Sequence, residues 1–156
     1  MTTTFALRPY AAADEADAIA LWQRSWQLAY PDIDFAARVD WWRARWRDEL
    51  VPKAQIVVAH AEAAMLGFVT VEPATGYLDQ IVVAPEAWGK GVAEALLREA
   101  KRLSPSHLEL LVNKDNDRAI GFYAKHGFLH AGEAVNSLSG RPVSRLRWRG
   151  EFWGQR

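Results

Sequence analysis

The most informative stretch of this chain is Val82-Val83-Ala84-Pro85-Glu86-Ala87-Trp88-Gly89-Lys90-Gly91-Val92-Ala93. It predicts an apolar strand, a turn at Pro85, a short glycine-rich loop and a helix that begins near Gly91. Glycines let neighbouring backbone N–H groups point into one concavity, and the first N–H groups of a helix are unpaired and partly positive. The stretch therefore indicates a binding site for an anion, of which phosphate is the usual example.

The loop alone does not identify its ligand, because many turns between a strand and a helix need glycine only to fold. Gly89-Lys90-Gly91 lacks the Ser or Thr after lysine that a P-loop places on magnesium. The third glycine of the dinucleotide-binding pattern is also missing, and no βαβ unit surrounds the loop. The loop therefore favours neither of these two nucleotide sites, and other phosphorylated ligands stay open.

Composition sets the outer limits of the interpretation. The 156 residues are about one domain's worth, and 19 Lys and Arg balance 19 Asp and Glu. Net charge therefore gives no argument for a nucleic acid or a membrane partner. The chain has no cysteine, which excludes a cysteine nucleophile and thiolate metal ligands. We expect one domain over residues 1–156 that is cytoplasmic, needs no metal, and shows neither a signal peptide nor a membrane span.

Hydrophobic spacing predicts the elements on either side of the loop. Before the loop it predicts a strand at 5–8, a helix at 12–28, a second helix from 34 or 35 to 50 closed by Pro52, hairpin strands at 56–59 and 66–71 with a turn at 62–64, and a central strand at 77–83. After the loop it predicts a helix to 103, a strand at 108–112, a helix at 116–126 ended by Gly127, and closing strands at 128–129 and 143–148. The order is β-α-α-β-β-β-α-β-α-β-β.

Two segments resemble the GNAT family of acetyl-CoA-dependent N-acetyltransferases. Residues 81–93 are similar to the family signature Val-x-Pro-x-x-(Gln/Arg)-x-x-Gly-x-(Gly/Ala). Asn116-Asp117-Arg118-Ala119-Ile120-Gly121-Phe122-Tyr123-Ala124-Lys125-His126-Gly127-Phe128 is similar to its Asn-x-x-Ala-x-x-(Phe/Leu)-Tyr-x-x-x-Gly-Phe segment. The resemblance implies an α/β fold with a GNAT-like mixed, mainly antiparallel, central sheet flanked by helices. One position departs from the signature, because Trp88 stands where the family usually has Gln or Arg.

The resemblance also implies where acetyl-CoA binds. The backbone of Ile81, Val82 and Val83 would pair with the pantetheine arm as an added strand does. The pyrophosphate would lie against the loop and the helix start, formed by Trp88, Gly89, Lys90, Gly91, Val92 and Ala93. Lys90 is equally well explained as a solvated loop lysine. Asn116 would contact the pantetheine arm, be a plain N-cap, or do both.

Tyr123 and Asp79 are the predicted catalytic residues. A thiolate leaves when an amine attacks a thioester, and a tyrosine, with an ordinary pKa of about 10, is a suitable proton donor. The family places this tyrosine beside the sulfur, whereas the alternative is a core aromatic residue packed on Phe122 and Phe128. Asp79 is the first candidate for the base and Glu72 the second, although both could be surface charges. His126 is better explained as a cation at a helix end.

The two early helices would shape the acceptor pocket in this family. They carry an aromatic set, most of which we expect to pack on the sheet: Trp22, Trp26, Tyr30, Trp41, Trp42 and Trp46. One or two of these could face an apolar or cationic acceptor. Asp32 and Asp34 are either ligands of a substrate ammonium or turn and cap residues.

The function implied by the resemblance is transfer of acetyl from acetyl-CoA to a primary amine of a small molecule or peptide. The amine would attack directly in a ternary complex. The enzyme would be a monomer or a homodimer. The alternative is a non-catalytic acyl-CoA-binding sensor or regulatory module. A domain for another phosphorylated ligand would require the match at 116–128 to be coincidental.

Overall fold

The computed structural model of the chain describes residues 4–136 and 139–150, which form a seven-stranded sheet with flanking helices. The strands are β1 (Ala6–Pro9), β2 (Gln55–Ala61), β3 (Ala64–Glu72), β4 (Tyr77–Val83), β5 (His107–Asn113), β6 (Leu129–Val135) and β7 (Pro142–Arg149). The α-helices are α1 (Glu15–Ala29), α2 (Val39–Arg45), α3 (Val51–Lys53), α4 (Val92–Leu103) and α5 (Asp117–Lys125). Short 3-10 turns cover Ala12–Asp14, Ala36–Arg38 and Pro85–Ala87. The predicted mixed α/β fold is confirmed.

The sheet runs in the order β1-β2-β3-β4-β5-β7-β6, and β4 occupies its centre as predicted. Every pairing is antiparallel except that of β4 with β5. That parallel pairing consists of one residue pair, Tyr77 with Glu109, at the start of both strands. Beyond this pair the two strands run on without pairing, so the sheet opens toward their carboxyl ends.

Helices cover both faces of the sheet around β3. Neighbouring residues of a strand point to opposite faces. A Cβ on Gly67 would lie 3.2 Å from Leu96 of α4, whereas the ring of Phe68 packs edge-on against Trp46 at 5.2 Å. The α4 helix therefore covers one face and the second helical segment covers the other. This explains why residues 66–71 are buried without alternation.

The predicted second helix is longer and less regular than expected. It runs from the 3-10 turn Ala36–Arg38 through α2, a π-helical segment at Trp46–Leu50 and α3. Pro52 lies inside this last helical segment, so the expectation that it closes the helix after Leu50 is wrong. The π-helical segment widens the turn before Pro52, where a proline ring would otherwise meet the carbonyl group four residues earlier.

The closing strands also differ from the prediction. The strand predicted at 128–129 is β6, which extends from Leu129 to Val135. It is an edge strand that pairs with β7 alone, and Leu129 and Val135 are 73% and 66% exposed. Because backbone pairing with β7 holds this strand, its side chains need not alternate in hydrophobicity, and the sequence pattern missed it.

Candidate active site

The gap between β4 and β5 exposes the backbone of Ile81, Val82 and Val83. On one side these residues pair with β3, through Val69, Phe68 and Gly67. On the other side no strand of the described chain pairs with them. An edge of this kind accepts an extended ligand by backbone hydrogen bonds.

The glycine-rich loop follows β4 and ends where α4 begins. Gly89 and Gly91 have φ values of +75° and +85°, and Gly91 is the N-cap of α4. A Cβ on either glycine would meet nothing within 4 Å, so these positions need glycine for backbone conformation and not for packing. No side chain caps the first N–H groups of α4. The loop therefore presents free donors at the positive end of a helix.

A cavity of about 590 Å³ lies against this loop and the edge of β4; we call it the loop cavity. Its wall includes nearly all of the predicted cofactor-binding residues: Ile81, Val82, Val83, Trp88, Gly89, Gly91, Val92, Ala93, Asn116 and Tyr123. Lys90 does not line it, which agrees with a solvated loop lysine. The structure thus brings together residues from two segments that are distant in the sequence.

Trp88 bridges two walls of the loop cavity. Its indole N–H donates to the carbonyl oxygen of Val83 at 3.0 Å. The guanidinium carbon of Arg118 lies 4.0 Å from the centre of the Trp88 ring, which is a cation–π contact. Arg118 also lines the cavity and was not predicted as a site residue. It is the second residue of α5, and its guanidinium supplies a positive charge beside the loop, where Trp88 itself has none.

The start and end of α5 fix two further site residues. Asn116 is the N-cap, and its Oδ1 accepts from the N–H of Ala119 at 3.2 Å. The predicted C′ residue Gly127 has φ +91°, and the N–H of Phe128 donates to the carbonyl of Tyr123 at 3.0 Å. This is the bond pattern of a Schellman motif, which holds Tyr123 in the last turn of the helix.

Tyr123 is both a core residue and a cavity residue. Its side chain is 7% exposed, and its ring lies 5.3 Å from those of Phe122 and Phe128. Within residues 4–136 and 139–150, its hydroxyl group makes no hydrogen bond. Burial raises the pKa of Tyr123 far above its ordinary value, so the hydroxyl keeps its proton at neutral pH.

A second cavity of about 450 Å³, the aromatic cavity, lies beside the first. The two share five residues: Trp26, Ile81, Asn116, Ala119 and Tyr123. The two cavities are therefore neighbours, and Tyr123 lies in the wall of both.

The aromatic set predicted on the two early helices divides into two equal groups, so more of its members line a cavity than the one or two expected. Trp22, Trp42 and Trp46 are at most 4% exposed, and Trp22 stacks on Trp42 at 4.6 Å. Trp26 and Tyr30 stack at 5.7 Å and line the aromatic cavity together with Trp41, which is 41% exposed. Three tryptophans thus build the core, and the other aromatic side chains offer a flat surface to a ligand.

The candidate bases lie in different places. Asp79 lines the aromatic cavity, where Arg45 donates to its two carboxylate oxygens at 2.8 and 2.5 Å. Glu72 is paired with Tyr77 at the end of the β3–β4 hairpin and lines neither cavity. His126 is the C-cap of α5 and also lies outside both cavities. Of these three candidates, Asp79 is therefore the one that lines a cavity.

The family model for the acetyltransferase (GNAT) family matches residues 15–128 of the chain. The peptidyl-lysine N-acetyltransferase YjaB of Salmonella typhimurium is 31% identical over 134 residues, which cover 82% of this chain and 86% of that protein. YjaB of Escherichia coli is 30% identical over 136 residues, covering 82% and 84%. The chain therefore belongs to the GNAT family and is an acetyl-CoA-dependent N-acetyltransferase.

Solved structures have the same fold. The solution structure of apo YjaB from Escherichia coli is 26% identical, with a TM-score of 0.75 over 94% of this chain and 99% of that chain. The PaiA N-acetyltransferase of Thermoplasma acidophilum, solved in complex with coenzyme A, is 19% identical with a TM-score of 0.71 over 94% and 99%. At that identity the PaiA structure supports the fold alone.

Residues 4–136 and 139–150 lack two further classes of feature. No helix there has the length and apolar character that crossing a membrane requires. The same residues contain no group of three or more His, Asp or Glu side chains arranged to hold a metal ion.

Proposed function

We propose that this enzyme transfers the acetyl group of acetyl-CoA to a primary amine of a small molecule or peptide. The acyl donor occupies the loop cavity, the amine occupies the aromatic cavity, and the amine attacks directly in a ternary complex. The observation that carries this proposal is the junction of the two cavities at Ile81, Asn116 and Tyr123. A donor and an acceptor could meet there without passing through solvent.

The residues of the loop cavity fit coenzyme A. A long ligand with two amides suits the unpaired edge of β4, and a pyrophosphate suits the free N–H groups at Gly91 and the start of α4. Arg118 adds a positive charge in the wall of the same cavity. The cosubstrate supplies an acetyl group activated as a thioester.

Tyr123 is the proposed general acid. When the C–N bond forms and the C–S bond breaks, the departing sulfur needs a proton. The Tyr123 hydroxyl makes no competing hydrogen bond to the described chain, and burial keeps it protonated because its pKa is raised. The residue is buried and lines both cavities, which supports this role.

Asp79 is the proposed proton acceptor for the amine, acting through water. A carboxylate has about four lone-pair sites. Arg45 occupies one on each oxygen, and the Gln80 amide donates to a third at 3.1 Å. One site is left for a water molecule, and Arg45 holds the carboxylate in place.

Two observations bear on the class of acceptor. Two relatives are named peptidyl-lysine N-acetyltransferases, which favours a lysine side chain of a peptide as one acceptor. The flat aromatic surface at Trp26, Tyr30 and Trp41 would suit both the methylene chain of lysine and a small apolar amine. A cytoplasmic location, a single domain over residues 1–156, and a monomer or homodimer stay predictions from the sequence.

The test has two steps. Acetyl-CoA is titrated into the protein by calorimetry, and release of free CoA is then followed with lysine peptides, amino acids, polyamines and arylalkylamines. We expect micromolar binding and turnover with at least one acceptor class. Binding without turnover on all classes would instead support the non-catalytic acyl-CoA-binding module. No binding of acetyl-CoA would overturn the proposal.

A further inference from the structure

We propose that the acceptor carries a carboxylate in addition to its amine, and that Arg38 binds this carboxylate in the aromatic cavity. The inference rests on the proposed function, because it assigns the acceptor to that cavity. It narrows the substrate to amines with a nearby negative charge, such as a free amino acid or a lysine next to an acidic residue.

The charged side chains of the aromatic cavity provide the first argument. They are Arg38, Arg45, Asp79 and Arg141. Asp79 is the sole carboxylate in this wall as described, and Arg45 holds both of its oxygens. The cavity therefore offers no free carboxylate that would recognise a second ammonium group of a polyamine.

The other aspartates suggested for a substrate ammonium lie elsewhere. Asp34 Oδ1 accepts from the N–H of Ala37 at 3.2 Å and so caps the turn Ala36–Arg38. Asp32 lines a smaller depression with Pro31 and Asp115, which adjoins the aromatic cavity at Tyr30 and Arg141. Neither residue lines the aromatic cavity, and the cap interpretation of Asp34 is the one the contacts support.

Arg38 provides the second argument. Its guanidinium carbon lies 5.6 Å from the centre of the Phe35 ring, in the same turn. Within residues 4–136 and 139–150, Arg38 forms no ion pair, in contrast to Arg45 and Arg141. A half-buried guanidinium held on an aromatic face has its five N–H donors available, and its planar fork matches a carboxylate.

Arg141 strengthens the positive character of the same wall. It lies over the ring of Tyr30 at 5.1 Å, and its ion pair with Asp115 is long, at 3.5 Å, and exposed. Ion pairs of this kind contribute little, so Arg141 can also turn toward an anionic group. The Tyr30 ring is fixed by a hydrogen bond of 2.7 Å from Asn113 to its hydroxyl.

The experiment compares matched acceptors that differ by one carboxylate. The pairs are lysine with cadaverine, phenylalanine with phenethylamine, and Ac-Glu-Lys-Glu-amide with Ac-Gln-Lys-Gln-amide. We expect kcat/KM to be about tenfold higher for the carboxylate member of at least one pair, mainly through KM. The amino acid pairs and the peptide pair distinguish an α-carboxylate from an acidic side chain.

Three variants assign the preference to Arg38. Arg38→Gln should remove it, and Arg38→Glu should reverse it toward cadaverine, while the KM for acetyl-CoA is unchanged in both. Arg43→Gln is the matched control, since Arg43 pairs with Asp40 on the same helix and lies outside both cavities. It should keep the wild-type preference. Thermal melting of each variant confirms that it is folded.

Some outcomes overturn this inference without touching the proposed function. Equal or better turnover of the uncharged members, or an unchanged preference in Arg38→Gln, would do so. If acetyl-CoA binds and no acceptor is turned over, the proposed function fails. Binding of lysine and cadaverine to the CoA-loaded protein by calorimetry then decides the inference, since equal binding overturns it.

Discussion

Trp88 shows how one substitution in a family signature changes the neighbours of a site. The indole N–H donates to the carbonyl oxygen of Val83, and the guanidinium of Arg118 lies over the indole ring. A pantetheine amide that donates to the Val83 carbonyl would compete with the indole N–H. An exchanged hydrogen bond of this kind is worth about 0.5–1.5 kcal/mol.

Replacing Trp88 with phenylalanine separates these two contacts. Phenylalanine keeps a ring beneath Arg118 and has no N–H, so acetyl-CoA no longer competes for the Val83 carbonyl. We therefore expect Trp88→Phe to bind acetyl-CoA about three- to tenfold more tightly, as measured by calorimetry. Trp88→Ala, which also removes the cation–π contact, serves as the comparison. Weaker binding by Trp88→Phe would mean that the indole N–H itself serves the ligand.

Tyr123 allows a test of the proposed acid that leaves the core intact. Tyr123→Phe keeps the ring between Phe122 and Phe128 and removes only the hydroxyl group. We expect unchanged acetyl-CoA affinity and a fall in kcat on the order of a hundredfold. Phe128→Leu, which disturbs the packing but not the hydroxyl, should lower the melting temperature and affect kcat less.

The pH profile adds a second measure of Tyr123. Because burial raises the pKa of Tyr123, its acid form persists above the ordinary tyrosine value of about 10. An activity loss caused by its ionisation should therefore begin only above that pH. A wild-type kcat that falls with a midpoint near neutral pH and becomes flat in Tyr123→Phe would contradict this assignment.

Individual residues differ in how far the sequence could predict them. Tyr123, Asn116 and the glycines belong to motifs, and the structure collects them in one cavity. Arg118 and Arg38 lie in no such pattern, since an arginine near a helix start is usually solvated. Only the fold shows that Arg118 faces Trp88, which lies thirty positions earlier in the chain. In the same way, only the fold shows that Arg38 lines a cavity whose wall also includes residues from distant segments.

The start of α4 depends on the left-handed backbone at Gly91. An L-residue with a Cβ costs roughly 1–2 kcal/mol in this conformation, and asparagine costs less than alanine. The space around the position is open, so the free protein has room for either side chain. Substitutions at Gly91 can therefore distinguish a role of this glycine in the backbone conformation from a role in contacting the ligand.

We compare Gly91→Ala with Gly91→Asn for this purpose. We expect both to be folded, with Gly91→Asn the more stable in urea. Acetyl-CoA affinity should fall at least tenfold in both, because any Cβ would stand where the proposed site brings the pyrophosphate to the backbone. If affinity follows stability, so that asparagine restores binding, glycine serves the conformation alone and the phosphate lies elsewhere.

The ion pair of Arg45 with Asp79 joins the second helical segment to the central strand. Arg45 also contacts Glu49, and its guanidinium lies 5.4 Å from the Trp42 ring. Asp79→Asn leaves a half-buried arginine short of one partner, so we expect a loss of about 1–3 kcal/mol in unfolding free energy. The double variant Asp79→Asn with Arg45→Gln should recover part of this stability.

Turnover in the same variants decides the role of Asp79. If it accepts the proton of the amine, kcat stays low in Asp79→Asn and in the double variant, on the order of a hundredfold below wild type. Recovery of kcat together with stability in the double variant would show that Asp79 only holds Arg45. The expected result is low kcat in both.

Among the elements, strong periodicity gave reliable predictions. The strand at 77–83 and the helix ending at 103 match the structure at both ends. The second helix and β6 were misjudged because their limits depend on tertiary contacts. A π-helical turn accommodates Pro52, and a neighbouring strand defines β6. Neither effect is present in a local pattern of apolar residues.

At the scale of the whole molecule, the sheet consists of two antiparallel sets of strands. The first set is β1 to β4 and the second is β5, β7 and β6, with one backbone residue pair between them. The order of strands could not be read from the sequence, because β7 lies between β5 and β6 in the sheet although it follows both in the chain. The family resemblance supplied the class of sheet that periodicity alone could not.

Binding of acetyl-CoA should stabilise the whole fold, since the proposed ligand contacts β4, α4 and α5 together. At a free concentration one hundred times its Kd, we expect about 2.7 kcal/mol of added stability by linkage. Differential scanning fluorimetry with acetyl-CoA should show a rise in melting temperature of several degrees. Desulfo-CoA and ATP are the comparisons, and an equal rise with ATP would indicate a site for general nucleotides.

The sparse joint between β4 and β5 has a practical consequence. A break in the chain near Pro105 would leave β1 to β4 in one fragment and β5 to β7 in the other. Each antiparallel set of strands would then stay complete. Reassociation of the two fragments would rely on α4, on the single Tyr77–Glu109 backbone pair, on side-chain contacts such as Trp88 with Arg118 and Tyr30 with Asn113, and on a ligand bound between β4 and β5. Attached to two halves of a fluorescent protein, such fragments would report acetyl-CoA concentration as light.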